Sequence, residues 1–323
     1  MLDRTASAMR NAIPSPLFIF ELANNHMGDV EHGLRVISEF GALARDYAFD
    51  FAFKLQFREL DTFIHPAFRD RMDIKYIKRF SETRLDRAQT RRLVAAIRDN
   101  GFLAMCTPFD EPSVDHIVED GFDILKIASC SFTDWPLLEK IAATDLPIIG
   151  STAGIECGDM DNVVSFLRHR DKSFALMACV AQYPTPHQAL QLNQIDVLKA
   201  RYPQTRIGYS THEDPNETMA VAMAVAKGAT LFEKHIGVPT QAWPLNAYSA
   251  SPDQARRWLD AAARAFEIGG VADRRIEPTT EELSALKDLR RGVFLRRPVA
   301  AGKRIRDEDV FFAIPTQPGQ ITA

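Results

Sequence analysis

The sequence predicts an α/β protein: a closed (β/α)8 TIM barrel followed by a small, incomplete β-rich C-terminal module. Three observations carry this. A short apolar run, a turn and a helical stretch recur eight times between residues 17 and 268. The runs are apolar without clean alternation, as strands covered on both faces are. Nearly every run ends in polar, chemically capable residues, and barrel enzymes draw their chemistry from the C-terminal ends of many strands. An open doubly wound sheet also accommodates eight units, but it holds ligand in one crevice at its switch point; polar groups at all eight exits favour the closed barrel. A chain of 323 residues fits one ~250-residue barrel plus an appendage.

In chain order, the predicted strands are 17–21, 51–56, 102–107, 124–128, 147–151, 174–180, 206–210 and 230–235. Helix signals lie between them. Residues 110–120 open on an acidic first turn and stop at Gly121, a glycine suited to a helix C-terminus. Asp214-Pro215 reads as an N-cap with proline at the first helical position, for a helix over 214–227 stopping at Gly228. Ser251-Pro252-Asp253 repeats that opening before a long helix ending at Gly269-Gly270. The expected organisation is an N-terminal extension (1–16), the barrel (17–270), a charged, mostly helical linker (271–291) and a partial module (292–323) with β-like pieces at 293–295 and 310–314. Some 35 residues are marginal as an independent domain.

Composition narrows the class. Lys and Arg total 39 against 43 Asp and Glu, a net charge of −4, which argues against nucleic acid as the main partner. The longest apolar stretches, such as 219–226, fall well short of the ~18 residues a membrane span needs, and the first residues lack the apolar core of a signal peptide. Cys106, Cys130, Cys157 and Cys179 form no CxxC and read as buried thiols of a reducing compartment. The expectation is a soluble cytoplasmic protein.

The strand ends carry the chemistry. Lys54 and Lys126 sit inside the ends of apolar strands, where an ammonium is costly unless an anion meets it. With the hydroxyls of Ser129, Ser151 and Ser210 they make a cluster suited to phosphate or carboxylate; alternatively, each lysine pairs structurally with Glu21 or Glu233. His212 follows the seventh strand and His235 ends the eighth, so in a barrel they are neighbours and sensible ligands for one divalent ion completed by water or substrate. His26 is either a third polar contributor or a loop residue. His32, His65, His116, His169 and His187 fall in helix- or loop-like stretches and receive no role. There is no GxSxG elbow, and no P-loop or GxGxxG follows a strand. Cys106 and Cys130 lie near strand ends without a histidine beside them and read as structural.

In order and spacing, FELANNHMGD (20–29), FKLQF (53–57), CTPFDEPSVD (106–115), ILKIAS (124–129), STAG (151–154), YPTP (183–186), IGYSTH (207–212) and EKHIG (233–237) resemble the sialic acid synthase family. That resemblance implies a barrel enzyme condensing phosphoenolpyruvate with an N-acylhexosamine. It places phosphoenolpyruvate on Lys54, Thr107, Lys126, Ser129, Ser151 and Ser210, and a manganese- or magnesium-type ion on His212 and His235. It sets Gln56 and Tyr183 near the sugar and Glu21 in the active site as the remaining general acid/base. Residues 291–320 resemble the start of the family's antifreeze-like domain, which in a homodimer covers the partner's barrel mouth. Four departures fall on the sugar side. Ser131 stands where the family has glutamate, and Ala181-Gln182-Tyr183 replaces an asparagine-x-tyrosine. Pro244-Leu245-Asn246 replaces glycine-proline-aspartate, and Gln317 replaces an arginine. These departures motivate two alternatives: a barrel aldolase or lyase acting on another oxoacid or sugar, and a non-catalytic relative serving as a binding or scaffold protein.

Overall fold

The computed structural model describes residues 13–323. Eight parallel strands close into a barrel in sequence order: β1 (Leu17–Glu21), β2 (Asp50–Phe57), β3 (Leu103–Pro108), β4 (Ile124–Ile127), β5 (Ile148–Ser151), β6 (Phe174–Cys179), β7 (Arg206–Thr211) and β8 (Leu231–His235). Each predicted strand is present, β1 with the predicted ends and the others with ends shifted by at most one residue. Around them run α1 (Val30–Ala44), α2 (Leu60–Phe63), α3 (Lys75–Glu82), α4 (Arg87–Asp99), α5 (Glu111–Glu119), α6 (Trp135–Ala142), α7 (Cys157–His169), α8 (Gln194–Arg201), α9 (Met219–Ala226) and α10 (Pro252–Gly269).

Side chains on one strand alternate between the two faces of the sheet, and this divides the core in two. Outward residues such as Phe18, Phe20, Phe53, Leu125 and Phe232 pack under the helices. Inward ones (Leu17, Ile19, Ala52, Met105, Ile124, Ile149, Ala175, Met177 and Leu231) fill the barrel floor, with Ile13 beneath them. Two positions further along six of the strands the inward face turns polar: Ile19 leads to Glu21, Ala52 to Lys54, Met105 to Thr107, Ile124 to Lys126, Ile149 to Ser151 and Leu231 to Glu233. The apolar layer forms a dry floor and the polar layer sits directly on it. Gly208 occupies a tight seam, since a Cβ there would lie 2.5 Å from Leu231 Cβ across the β7–β8 pair.

Two expectations need correction. The helix predicted from 214 begins at Met219: Asp214 instead accepts from the Asn216 N–H at 2.8 Å, closing a side-chain turn that competes with helix. The cysteines are not uniformly buried. Cys106 is, and Cys179 is intermediate, but Cys130, in a turn after β4, and Cys157, at the start of α7, are exposed.

The chain divides into two compact units, the second spanning 270–323. It contains α11 (Thr280–Leu289), capped by Thr279, and an antiparallel pair, β9 (Gly292–Leu295) with β10 (Val310–Ala313). Residues 1–12 of the expected N-terminal extension lie outside the described residues. Among the described residues no helix is long and apolar enough to cross a membrane.

Candidate active site

Lys54 and Lys126 converge at the C-terminal end of the barrel, and a carboxylate stands between them. Lys54 Nζ lies 2.5 Å from Glu21 Oε2 and 2.6 Å from Glu233 Oε2. Lys126 Nζ donates to Ser151 Oγ at 2.6 Å and lies 3.5 Å from Glu233 Oε1, which also accepts from Ser210 Oγ at 2.9 Å. Strand register enforces this: Glu21 is level with Lys54 and with His235, and Ser210 with Glu233. All six residues Glu21, Lys54, Lys126, Ser151, Ser210 and Glu233 are buried. The two readings of the lysines are therefore not exclusive; Lys54 is ion-paired, and Lys126 is left with only a distant share of the same carboxylate.

The charge states follow from burial and neighbours. Burial raises the Glu21 carboxyl, and the nearby Glu233 charge adds to the rise against the pull of Lys54. Burial alone would raise Glu233 too, but Lys126 and Lys54 outweigh it and hold Glu233 well below the usual carboxylate range. Burial would depress Lys54, yet Glu21 and Glu233 overcome it and raise it. Lys126 is lowered by burial, which its distance from Glu233 does not offset. Glu233 is thus firmly ionised between the two lysines, with Glu21 against the other side of Lys54.

Hydroxyls border the cluster. Thr107 Oγ1 is buried without a hydrogen-bond partner, and a buried hydroxyl left unpaired is costly unless a ligand completes it. Ser129 Oγ accepts from the Ala153 N–H at 3.0 Å, which fixes the start of the turn after β4. Ser131 is buried next to the exposed Cys130.

His212 and His235 meet as expected, their ring centroids 5.2 Å apart. His212 Nδ1 donates to Val180 O at 2.8 Å, leaving Nε2 with its lone pair. Burial lowers His212 to about 4, and burial plus the neighbouring His212 lowers His235 well below its ordinary value. Neutral imidazoles are the form that ligates a metal. Among the described residues no group of three His, Cys, Asp or Glu could hold an ion, so the donor set is two imidazoles plus whatever water or substrate supplies. Tyr183 packs against His212 with its ring tilted by 54° and centroids 4.3 Å apart, and Tyr248 closes the cluster 5.2 Å from both Tyr183 and His235. His26 acts locally instead. It is buried, and its Nδ1 accepts from the Gly28 N–H at 3.1 Å.

Sequence reasoning assigned no functional role to Glu233, Tyr248 or Arg58. For Glu233 a signal existed, since it lies two residues before His235 and so shares its inward face. Gln56 extends the inward face of β2, level with Thr107, and its Oε1 accepts from Arg58 at 2.8 Å. At one of the positions that depart from the resembled pattern, Asn246 Oδ1 accepts from the N–H groups of Tyr248 and Ser249, at 3.1 and 2.9 Å, and holds the loop carrying Tyr248. Gln317 lies in the second unit, where its N–H donates to Gln320 Oε1.

Fold and site together define a TIM-barrel protein with a buried lysine–carboxylate cluster flanked by two imidazoles at its strand C-termini. The chain belongs to the NeuB family, which matches residues 45–272. A solved structure assigned as spore coat polysaccharide biosynthesis protein E from Chromobacterium violaceum is 55% identical, with a TM-score of 0.93 over 95% of this chain and 91% of that one. N-acetylneuraminic acid (sialic acid) synthetase from Leptospira borgpetersenii is 27% identical, with a TM-score of 0.73 over 85% of this chain and 91% of that one. N,N'-diacetyllegionaminic acid synthase from Legionella pneumophila is 28% identical over 67% of this chain, which spans 61% of that protein's length.

Proposed function

We propose that the protein is a sugar-acid synthase that condenses phosphoenolpyruvate with an aldose and releases phosphate. The observation carrying this is the pair of buried ammonium groups sharing one firmly ionised carboxylate, with the unpartnered Thr107 hydroxyl beside them. Family membership and the synthase names of its relatives point the same way.

Lys54 and Lys126, with Thr107, Ser129, Ser151 and Ser210, hold the carboxylate and phosphate of phosphoenolpyruvate, so that its methylene carbon faces the aldehyde. Such positioning can supply about 7–11 kcal/mol of the barrier. The methylene carbon forms the new bond to the aldehyde carbon, whose oxygen takes a proton and becomes a hydroxyl. Water adds to the cationic former enol carbon and loses a proton; the tetrahedral species then expels phosphate to leave a ketone. Glu21, raised by burial and 2.5 Å from Lys54 Nζ, is the group to carry a proton here. Gln56 and Tyr183 border the aldose. His212 Nε2 and the His235 imidazole fit a manganese- or magnesium-type ion, which when bound would polarise the aldehyde oxygen as a Lewis acid.

The test is to incubate the protein with phosphoenolpyruvate, manganese and a panel of aldoses and follow phosphate release. Release with at least one aldose, abolished in Lys126→Ala, is expected; no release with any aldose from a protein that binds metal overturns the synthase reading. Ser131, in place of a carboxylate, favours an altered acceptor over an altered donor, because the residues assigned to phosphoenolpyruvate are all present.

A further inference from the structure

The inward face of β2 carries Lys54, then Gln56, and continues to Arg58 one residue beyond the strand. Arg58 is the half-buried cation of that row. Its guanidinium lies between two aromatic faces, 4.1 Å from the Phe80 ring centroid and 3.6 Å from that of Phe109. One amino group donates to Gln56 Oε1 at 2.8 Å, while Nε is buried with no hydrogen-bond partner. Arg58 lines a cavity of about 310 Å³ bordered by the β1 and β2 exits, α3 and α4.

The other charges in that cavity are already matched. Arg84 pairs with Glu59 at 3.6 Å and Asp61 at 2.9 Å; Arg87 pairs with Glu119 and Asp120, both at 3.0 Å. Asp86 caps α4 through the Gln89 N–H at 2.8 Å. Arg58 has no carboxylate within ion-pair distance among the described residues. Aromatic stacking accounts for its burial, but not for a guanidinium that lines the cavity without an anionic acceptor. A planar fork of donors fits an oxyanion.

We propose that Arg58 is a specificity-determining residue that reads an anionic substituent, a phosphate or a carboxylate, on the aldose acceptor. This rests on the synthase reading for the identity of the ligand. Lys54 grips the donor's anion, Gln56 borders the sugar one step up the same face, and Arg58 receives the end of the sugar remote from the reacting aldehyde. Burial lowers the Arg58 guanidinium to about 10, which leaves it charged at neutral pH.

The experiment is calorimetric binding of neutral hexoses and N-acylhexosamines, their 6-phosphates, and hexuronates to the wild type, Arg58→Met and Arg58→Lys, at one fixed salt concentration. Wild type is expected to prefer an acidic sugar over its neutral parent. Arg58→Met should erase that preference by about 10- to 100-fold, and Arg58→Lys, which keeps the charge without the fork, should retain part of it. Preference for 6-phosphates alone identifies a phosphosugar, and preference for hexuronates alone a uronic acid; both support the assignment. A wild type without preference, or an Arg58→Met protein that keeps it, overturns it. Should Arg58→Met not fold, the drop from wild type to Arg58→Lys decides the matter. Binding is read without turnover, so failure of the condensation assay is distinguishable from failure of this assignment.

Discussion

Replacing Glu233 by Gln isolates the charge at the centre of the cluster, because the amide is nearly isosteric with the carboxylate. The carboxylate now meets Lys54 Nζ at 2.6 Å through one oxygen, and Lys126 Nζ at 3.5 Å and Ser210 Oγ at 2.9 Å through the other. An amide carbonyl turned toward Lys54 keeps one hydrogen bond but directs its NH2 group at Lys126, while the Ser210 hydroxyl can rotate to accept. The loss is mainly one buried negative charge between two buried ammonium groups. Removing one partner of a buried pair costs about 3–5 kcal/mol, or about 6–20 °C in melting temperature for a domain of this size. The pocket becomes more positive, so phosphoenolpyruvate or inorganic phosphate should raise the variant's melting temperature more than the wild type's. Thermal and urea unfolding with and without each anion provide the measurement. A variant unfolding within about 1 kcal/mol of wild type, with the same gain on adding anion, would refute the claim that Glu233 neutralises an anion-binding pair.

Three further outcomes are expected. Lys234 and Glu213 form a fully buried pair at 3.0 Å, so Lys234→Met should cost about 3–5 kcal/mol in a urea midpoint, and adding Glu213→Gln should recover a large part of it. Burial lowers His26 to about 4 from an ordinary 6.5. Between those values the unfolded chain holds a proton on this residue that the folded one lacks, so the His26 contribution to stability is complete above pH 6.5 and falls by about 3 kcal/mol on acidification to pH 4; His26→Gln should show a correspondingly smaller total loss in denaturant titrations across that range. His212→Ala and His235→Ala should each weaken manganese binding, followed by its paramagnetic resonance signal, at least about 10-fold, and unchanged binding in both would remove the imidazole pair from the metal proposal.

The barrel was legible because its grammar is local. Each strand is an apolar run bounded by turn chemistry, and each run is short enough to leave little choice of register. The same alternation that buries Ile19 and Leu231 in the floor lifts Glu21 and Glu233 into the pocket, so the site residues on strands could be read from the runs themselves. What could not be read is the direction of side chains beyond strand ends. Asp214-Pro215 carries every local signal of a helix start, yet the Asp214 side chain closes a turn with Asn216 and the helix waits until Met219. Cys130 lies beside a buried strand in sequence, but a turn after β4 swings it outward while burying Ser131.

Arg58 shows the same limit from the functional side. In sequence it is one arginine among many, directly after the β2 run and beside Glu59 and Asp61. Its character comes from Phe80 and Phe109, 22 and 51 positions away, which arrive from α3 and the exit of β3 to sandwich it. Those two rings strip water from the guanidinium without supplying an acceptor, and an exposed arginine would need none. The polar layer of lysines, carboxylates and hydroxyls is built inside the barrel by strand periodicity, which is why it was foreseeable. The proposed acceptor side is formed by loops beyond the strand ends, and three of the four departures from the resembled pattern, Ser131, Ala181 and Asn246, fall there. Divergence in those loops beside an intact polar layer is what the proposed condensation with a changed sugar partner requires.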